Sequence, residues 1–326
     1  MNSSKIEISY KTILFTIFFL ILLWFLVYIK DILFILLISL IIMSACKPLV
    51  DKLEKSRLPR IVAILAIYIL GLITIVYLGG TLLPPLITES INLGQSLPNY
   101  LEKVIPFISV DTQFISQQIA PIGENLLKVT LGIFSNLFHI FTIFVVSFYL
   151  LIEREQLENH LAGFMGVKSA ENLLIIIERV EERLGSWVRG QVTLALVIGI
   201  ATYIGLLFLG LPFILPLSII AGLLEIVPII GPIISAIPAI LVALTVSPIL
   251  AAVTALVFVV IQQVENHFIV PYVLRKSVGL PPVITIITLM IGTKLAGVLG
   301  AMLSVPIVVM LETIIVEYSN IKSTQN

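Results

Sequence analysis

An all-α polytopic membrane protein, with about six full spans plus two Gly/Pro-broken helical hairpins forming an inverted repeat, is the fold class this sequence predicts. Three observations predict it. Of the 326 residues, 59% are hydrophobic and 12% charged, with a mean hydropathy of +1.16; soluble domains carry about twice that charged share. Apolar runs long enough to cross a bilayer recur along the chain. Two late runs, 209 to 244 and 278 to 312, are broken by glycine and proline and can be laid over one another.

From Thr12 to Cys46 the only charges are Lys30 and Asp31. As one helix this stretch would be roughly 50 Å long against a hydrocarbon core of about 30 Å, so two helices turning at Lys30-Asp31 are predicted. Ile61 to Leu83 is a third span, Val129 to Ile152 a fourth, Gln191 to Leu209 a fifth and Ile249 to Val264 a sixth. The connection 84–128 carries Ile87, Ile91, Leu97, Leu101 and Val104 at helical spacing after Pro84-Pro85; 153–190 carries Leu173, Ile177, Val180, Leu184 and Trp187. Both read as amphipathic helices lying on the membrane or on a neighbouring subunit. The chain thus divides into N-terminal scaffold spans (1–83), an extracytoplasmic amphipathic segment (84–128), the fourth span (129–152), a cytoplasmic amphipathic segment (153–190), an inverted-repeat transport region (191–317) and a cytoplasmic tail (318–326).

Sidedness follows from lysine and arginine in the connections. Lys47, Lys52, Lys55, Arg57 and Arg60 mark one connection as cytoplasmic, and Arg154, Lys168, Arg179, Arg183 and Arg189 mark another. The segment 84–128, with Lys103 and Lys128 beside Glu89, Glu102, Asp111 and Glu124, faces the outside. Both termini are then cytoplasmic, in an inner membrane.

The 19 basic and 19 acidic residues balance, so no basic excess points to nucleic acid. A single cysteine, Cys46, forms no internal disulfide, and no Cys/His cluster has the spacing of a metal site. Gly292-Thr293-Lys294 lacks the upstream glycine of a phosphate loop, and neither HExxH nor a Ser/His protease frame is present. The sequence therefore predicts no enzyme, cofactor or metal; the expected partners are the lipid bilayer and a small polar solute or cation.

In the overlay of the two late runs Gly210-Leu211-Pro212 meets Gly279-Leu280-Pro281, Gly231 meets Gly300 and Ser235 meets Ser304, with Pro238 and Pro306 matched after a gap. The helix before the first copy runs outward and the one before the second runs inward, so the copies are inverted, with turns near Pro228 to Pro232 and near Lys294 to Gly297. Backbone groups orphaned by Pro228, Gly231, Pro232, Pro238, Gly297, Gly300 and Pro306 cost several kcal/mol each in hydrocarbon. Such breaks are tolerated inside protein or along a wet pathway, which is the plan of many secondary transporters.

Charge at depth supplies the candidate pathway residues. Glu225 lies just before Pro228, and Lys294 takes the matching place in the second copy; an inverted repeat could pair them, or Glu225 could lie at the interface while Lys294 snorkels outward. In "IQQVENHFIVP", Gln262, Glu265 and Asn266 share one helix face, with Gln263 beside them. That face suits a small polar molecule or a dehydrated cation, or else a cytoplasmic helix end hydrogen-bonded to neighbouring helices. His139 and His267 read as packing residues.

From about residue 12 to 317 the chain resembles the AI-2E (autoinducer-2 exporter, PerM-like) family. The resemblance is strongest in "VPIIGPIISAIPAILVAL", "IQQVENHFIVPYVLRKSVGLPPV" and "GVLGAMLSVPI", and looser in "KPLVDKLEKSRLPRIVAILAIYIL" and "VSFYLLIER". It implies a homo-oligomeric bacterial transporter that exports autoinducer-2 or a similar small polar solute or, in other members, exchanges sodium for protons. Alternating access of 191–317 against 12–152 is the expected mechanism. A non-transporting membrane scaffold is the reading from another class; it would have no need of Glu225 or of the broken segments.

Overall fold

The computed structural model describes residues 10–104, 137–154, 156–228, 230–273 and 281–325. Every regular element among them is helical: α1 (Tyr10–Tyr28), α2 (Lys30–Glu54), α3 (Arg60–Val104), α4 (Leu137–Glu153), α5 (Leu157–Met165), α6 (Val167–Phe208), α7 (Ile214–Leu224), α8 (Ile230–Val246), α9 (Pro248–Val264), a π-turn at Glu265–Ile269 with the short α10 (Val270–Val273), and α11 (Pro282–Gln325). Six helical stretches are long and apolar enough to cross a membrane. This is an all-α, multi-pass membrane protein.

Three junctions differ from the sequence reading. Between α1 and α2 a lone residue, Ile29, has near-helical dihedrals (φ −94°, ψ 11°), so the chain bends there and does not turn back. Among the described residues, none of the α1 span is buried. Helix α3 runs through Pro84-Pro85 to Val104, and α6 runs through the boundary at 190/191 for 42 residues, about 63 Å. A change from charged to apolar side chains does not interrupt main-chain hydrogen bonding, and α6 holds no proline. The outer segment beyond Val104, the start of the fourth span and the Arg275-Lys276 connection lie outside the described residues.

Helix α6 is the axis of the molecule, packed along its length by α2, α7 and α11. Lipid tails are as apolar as leucine, so close approach, and not hydrophobic burial, holds such helices together. Gly222 of α7 sets its bare Cα against α6, where a Cβ would stand 2.6 Å from the Ala195 carbonyl oxygen. At one end the axis is charged. Glu181, buried, takes Lys47 of α2 and Arg154 at 2.6 Å each, and Arg183 reaches Glu312 of α11 at 3.0 Å and Thr313 at 3.1 Å. Below this cluster Val180, Leu184 and Trp187 pack on Val305 and Val309 of α11.

Two helical hairpins complete the fold. In the first, α7 ends at Leu224, the chain turns from Glu225 to Pro228, α8 starts at Ile230, and Gly231 rests so closely on the Leu224 carbonyl that a Cβ would overlap it. In the second, α11 is really two arms: Ala296 (φ −142°, ψ 22°) and Gly297 (φ 59°, ψ −139°) leave helical space, the latter in a region open to glycine. Gly292 and Gly300 meet backbone to backbone; in a straight helix they would be about 12 Å apart, so the arms fold back on each other. The first hairpin follows the uncharged end of α6. The second returns toward the charged end, where Glu312 meets Arg183.

Candidate functional site

Helices α8 and α9 have 17 residues each and are joined by Ser247, whose side chain caps α9 by accepting from the Leu250 N–H at 3.0 Å. Equal lengths running out and back return the chain to the level at which it left. Glu265, the residue after α9, therefore arrives beside Glu225, the residue after α7. Their carboxyl groups are near enough to act on each other electrostatically. Both residues are buried, 2% and 5% exposed; Glu265 lies within the apolar stretch Pro248–Val273, long enough to cross a membrane, and Glu225 in the turn between the shorter apolar helices α7 and α8.

The local backbone explains why a carboxylate can sit there. Pro228 has no N–H to continue α7, and the chain tightens instead: the Val227 N–H bonds the Leu224 carbonyl at 2.9 Å, and the Ile230 N–H bonds the Pro228 carbonyl at 2.8 Å. The Glu225 carbonyl accepts from the side-chain amide of Gln191 on α6. On the facing side the helix widens into the π-turn that begins at Glu265, an irregularity frequent at functional sites. Gln262 donates from Nε2 to Glu265 Oε2 at 3.1 Å and reaches Asn266 Oδ1 at 3.5 Å. One oxygen, Glu225 Oε2, is buried with no hydrogen-bond partner in the structure.

The structure thus joins Glu225, Glu265 and Gln262 at the turn made by Pro228, Gly231 and Pro232. Asn266 and Gln263 are adjacent but exposed, and Pro238 lies within α8. Gly297, Gly300 and Pro306 belong to the second hairpin. Lys294 is exposed on its first arm, and among the described residues no ion pair joins it to Glu225; the partner of Glu225 is a second carboxyl. Gln191 is the residue sequence reasoning missed as part of this site. Its signal was an amide at the start of an otherwise apolar run.

Two carboxylates facing each other in a low-dielectric setting repel strongly, and a proton or a cation between them removes the repulsion. Residues 13–320 match the family described as AI-2E family transporter. The chain belongs to that family. Among its relatives, "Putative transport protein YueF" of Bacillus subtilis (strain 168) is 28% identical over 308 residues, covering 87% of this chain and 83% of the relative. "Putative transport protein YrrI" of the same organism is 25% identical over 332 aligned positions, 95% of this chain and 93% of the relative. A protein of Halobacillus andaensis named "Sodium-lithium/proton antiporter" is 23% identical over 301 residues, 82% of this chain and 84% of that one. This AI-2E family member is a membrane transporter, which fits the presence of a buried acidic pair at a helix break.

Proposed function

We propose that this chain exchanges a monovalent cation for protons across a bacterial inner membrane, with Glu225 and Glu265 as the exchange site. The observation that carries this reading is the pair of neighbouring buried carboxyls, Glu225 and Glu265, with no cationic side chain paired to either among the described residues. Such a pair holds a proton or a small cation but not both, which is the requirement for coupled exchange. The antiporter of Halobacillus andaensis named above supports the same chemistry. Export of autoinducer-2 has less support, because the Gln262 Nε2 donor is directed to Glu265 and Asn266 and not outward to a solute.

In this reading the two hairpins are the inverted repeat, and the transport region 191–317 moves against the scaffold spans to open the site to each side in turn. The charged end of α6 and the end of α11 face the cytoplasm, whereas α1, which does not turn back at Ile29, leads away from the cytoplasmic end of α2.

Proton flux in proteoliposomes, read by an internal pH dye under a sodium gradient, tests the proposal on wild type and Glu225→Gln. Sodium-driven flux should fall at least about 100-fold in the variant, the scale expected of a group that itself carries the proton. Silence with sodium together with uptake of labelled autoinducer-2 by both proteins would overturn it in favour of solute export.

A further inference from the structure

Between α6, α7, α2 and the second arm of α11 lies an apolar groove of about 730 Å³. Its floor is buried and includes Ile41, Trp187, Ser218 and Leu303. Its rim is open: Leu196, Ile200, Leu223 and Leu299 line it and are each more than half exposed. Along α6 it runs from Trp187 to Tyr203, about 24 Å, which exceeds the roughly 15 Å half-thickness of a bilayer's hydrocarbon core. Two of the polar side chains in it, Gln191 and Ser218, are already engaged within the fold. Gln191 donates to the Glu225 carbonyl and Ser218 donates to the Leu215 carbonyl at 2.9 Å. A hydrogen-bonding solute would find few partners in this apolar lining, with the Tyr203 hydroxyl at one end, whereas an aliphatic chain would be matched along its length.

Arg189 follows Trp187 and Val188, which line the groove at its charged end, and is not itself part of the lining. Pro48, inside α2, has no N–H for the Ser44 carbonyl, and the Arg189 Nη1 fills that gap, reaching the Ser44 and Ala45 carbonyls at 3.5 and 3.3 Å. Nη2 donates to Ser186 Oγ at 3.1 Å. All of these acceptors are neutral. Among the described residues no carboxylate pairs with Arg189, unlike Lys47, Arg154 and Arg183 around it. The side chain is partly exposed, so its charge is open to an anion at the level where the groove ends.

We propose that this groove seats one acyl chain of an anionic phospholipid whose phosphate lies against Arg189. Charge complementarity selects the headgroup, and the apolar lining accepts the chain. The proposal is independent of which solute the protein transports.

Trp187 on the groove floor makes the test direct, since the chain has 2 tryptophans and Trp24→Phe leaves Trp187 as the sole indole. Fluorescence of that variant is followed in nanodiscs containing a small fraction of phosphatidylglycerol or phosphatidylcholine brominated on the acyl chains. The anionic lipid should quench at about fivefold lower mole fraction than the zwitterionic one, the preference one arginine confers. Arg189→Gln should bring the two lipids level, and Ala195→Phe, which fills the groove, should weaken quenching by both. Equal quenching by the two lipids in the Trp24→Phe protein itself would overturn the headgroup assignment. Quenching by neither would mean that something else, such as a second copy of this chain, covers the groove.

Discussion

In the first broken hairpin α7 ends at Leu224, α8 starts at Ile230, and Gly231 lies on the Leu224 carbonyl; in the second the arms turn at Ala296 and Gly297, and Gly300 lies on Gly292. The same interval of 69 residues separates Gly231 from Gly300 and Ser235 from Ser304. Both serines are buried and donate to the carbonyl three residues back, Ser235 to Pro232 at 3.0 Å and Ser304 to Ala301 at 2.6 Å. Yet at matching positions one hairpin buries a carboxylate against a second carboxyl and the other exposes a lysine. The backbone device is shared, while the chemistry sits on one side. What differs is the element that follows: α9 returns to the tip of the first hairpin and brings Glu265 with it.

The largest effect should therefore split the two tips. Glu265→Gln is expected to reduce cation-driven proton flux as severely as Glu225→Gln, by about 100-fold or more, whereas Lys294→Gln should leave it within about twofold, as an exposed side chain without an ion pair would. Initial rates in proteoliposomes check both. Comparable losses in the Lys294 and Glu265 variants would break the contrast and return the lysine to the pathway.

The glycines should behave alike. A Cβ at Gly231 would overlap the Leu224 carbonyl and one at Gly300 would overlap that of Gly292, and in each case the obstacle is backbone and not a side chain that can swing away. Gly231→Ala and Gly300→Ala should each lower stability by about 1–3 kcal/mol, the usual cost of overpacking. Thermal unfolding in detergent, followed by tryptophan fluorescence, measures it. A large loss at one site and none at the other would show that the hairpins are not built on the same close contact.

How much of this was legible in the sequence depended on what each feature needs from its neighbours. The spans announce themselves by composition, and the hairpin turns by Pro228, Gly231, Pro232 and Gly297, whose backbone consequences are local. The Glu225–Glu265 contact is not local. It follows from the equal lengths of α8 and α9 and from the tight junction at Ser247, while the overlay of repeats directed attention to Lys294 instead. Helix α6 was divided at 190/191 because its polarity changes there, although nothing in Val188-Arg189-Gly190-Gln191 prevents main-chain hydrogen bonds from continuing. At Ile29 the error ran the other way: a pair of charges was read as a turn where the dihedrals permit only a bend. Gln191 was legible as an oddity, but its role needed the Glu225 carbonyl placed next to it.

The smallest expected effect is the most direct probe of the shared device. Ser235 Oγ and Ser304 Oγ each tie off a carbonyl inside their own hairpin arm, close to where Pro238 and Pro306 leave helical acceptors without N–H partners. Hydrogen bonds between side chain and backbone in a membrane protein contribute on average about 0.6 kcal/mol, because the alternatives to them are also bonded. Ser235→Ala and Ser304→Ala should thus cost similar small amounts of stability, and the double variant should show their sum, since the two arms are independent contacts. If Ser235→Ala alone also impaired exchange while Ser304→Ala did not, the first arm would be part of the ion site itself, and the boundary of that site would have to move from Glu225 along α8.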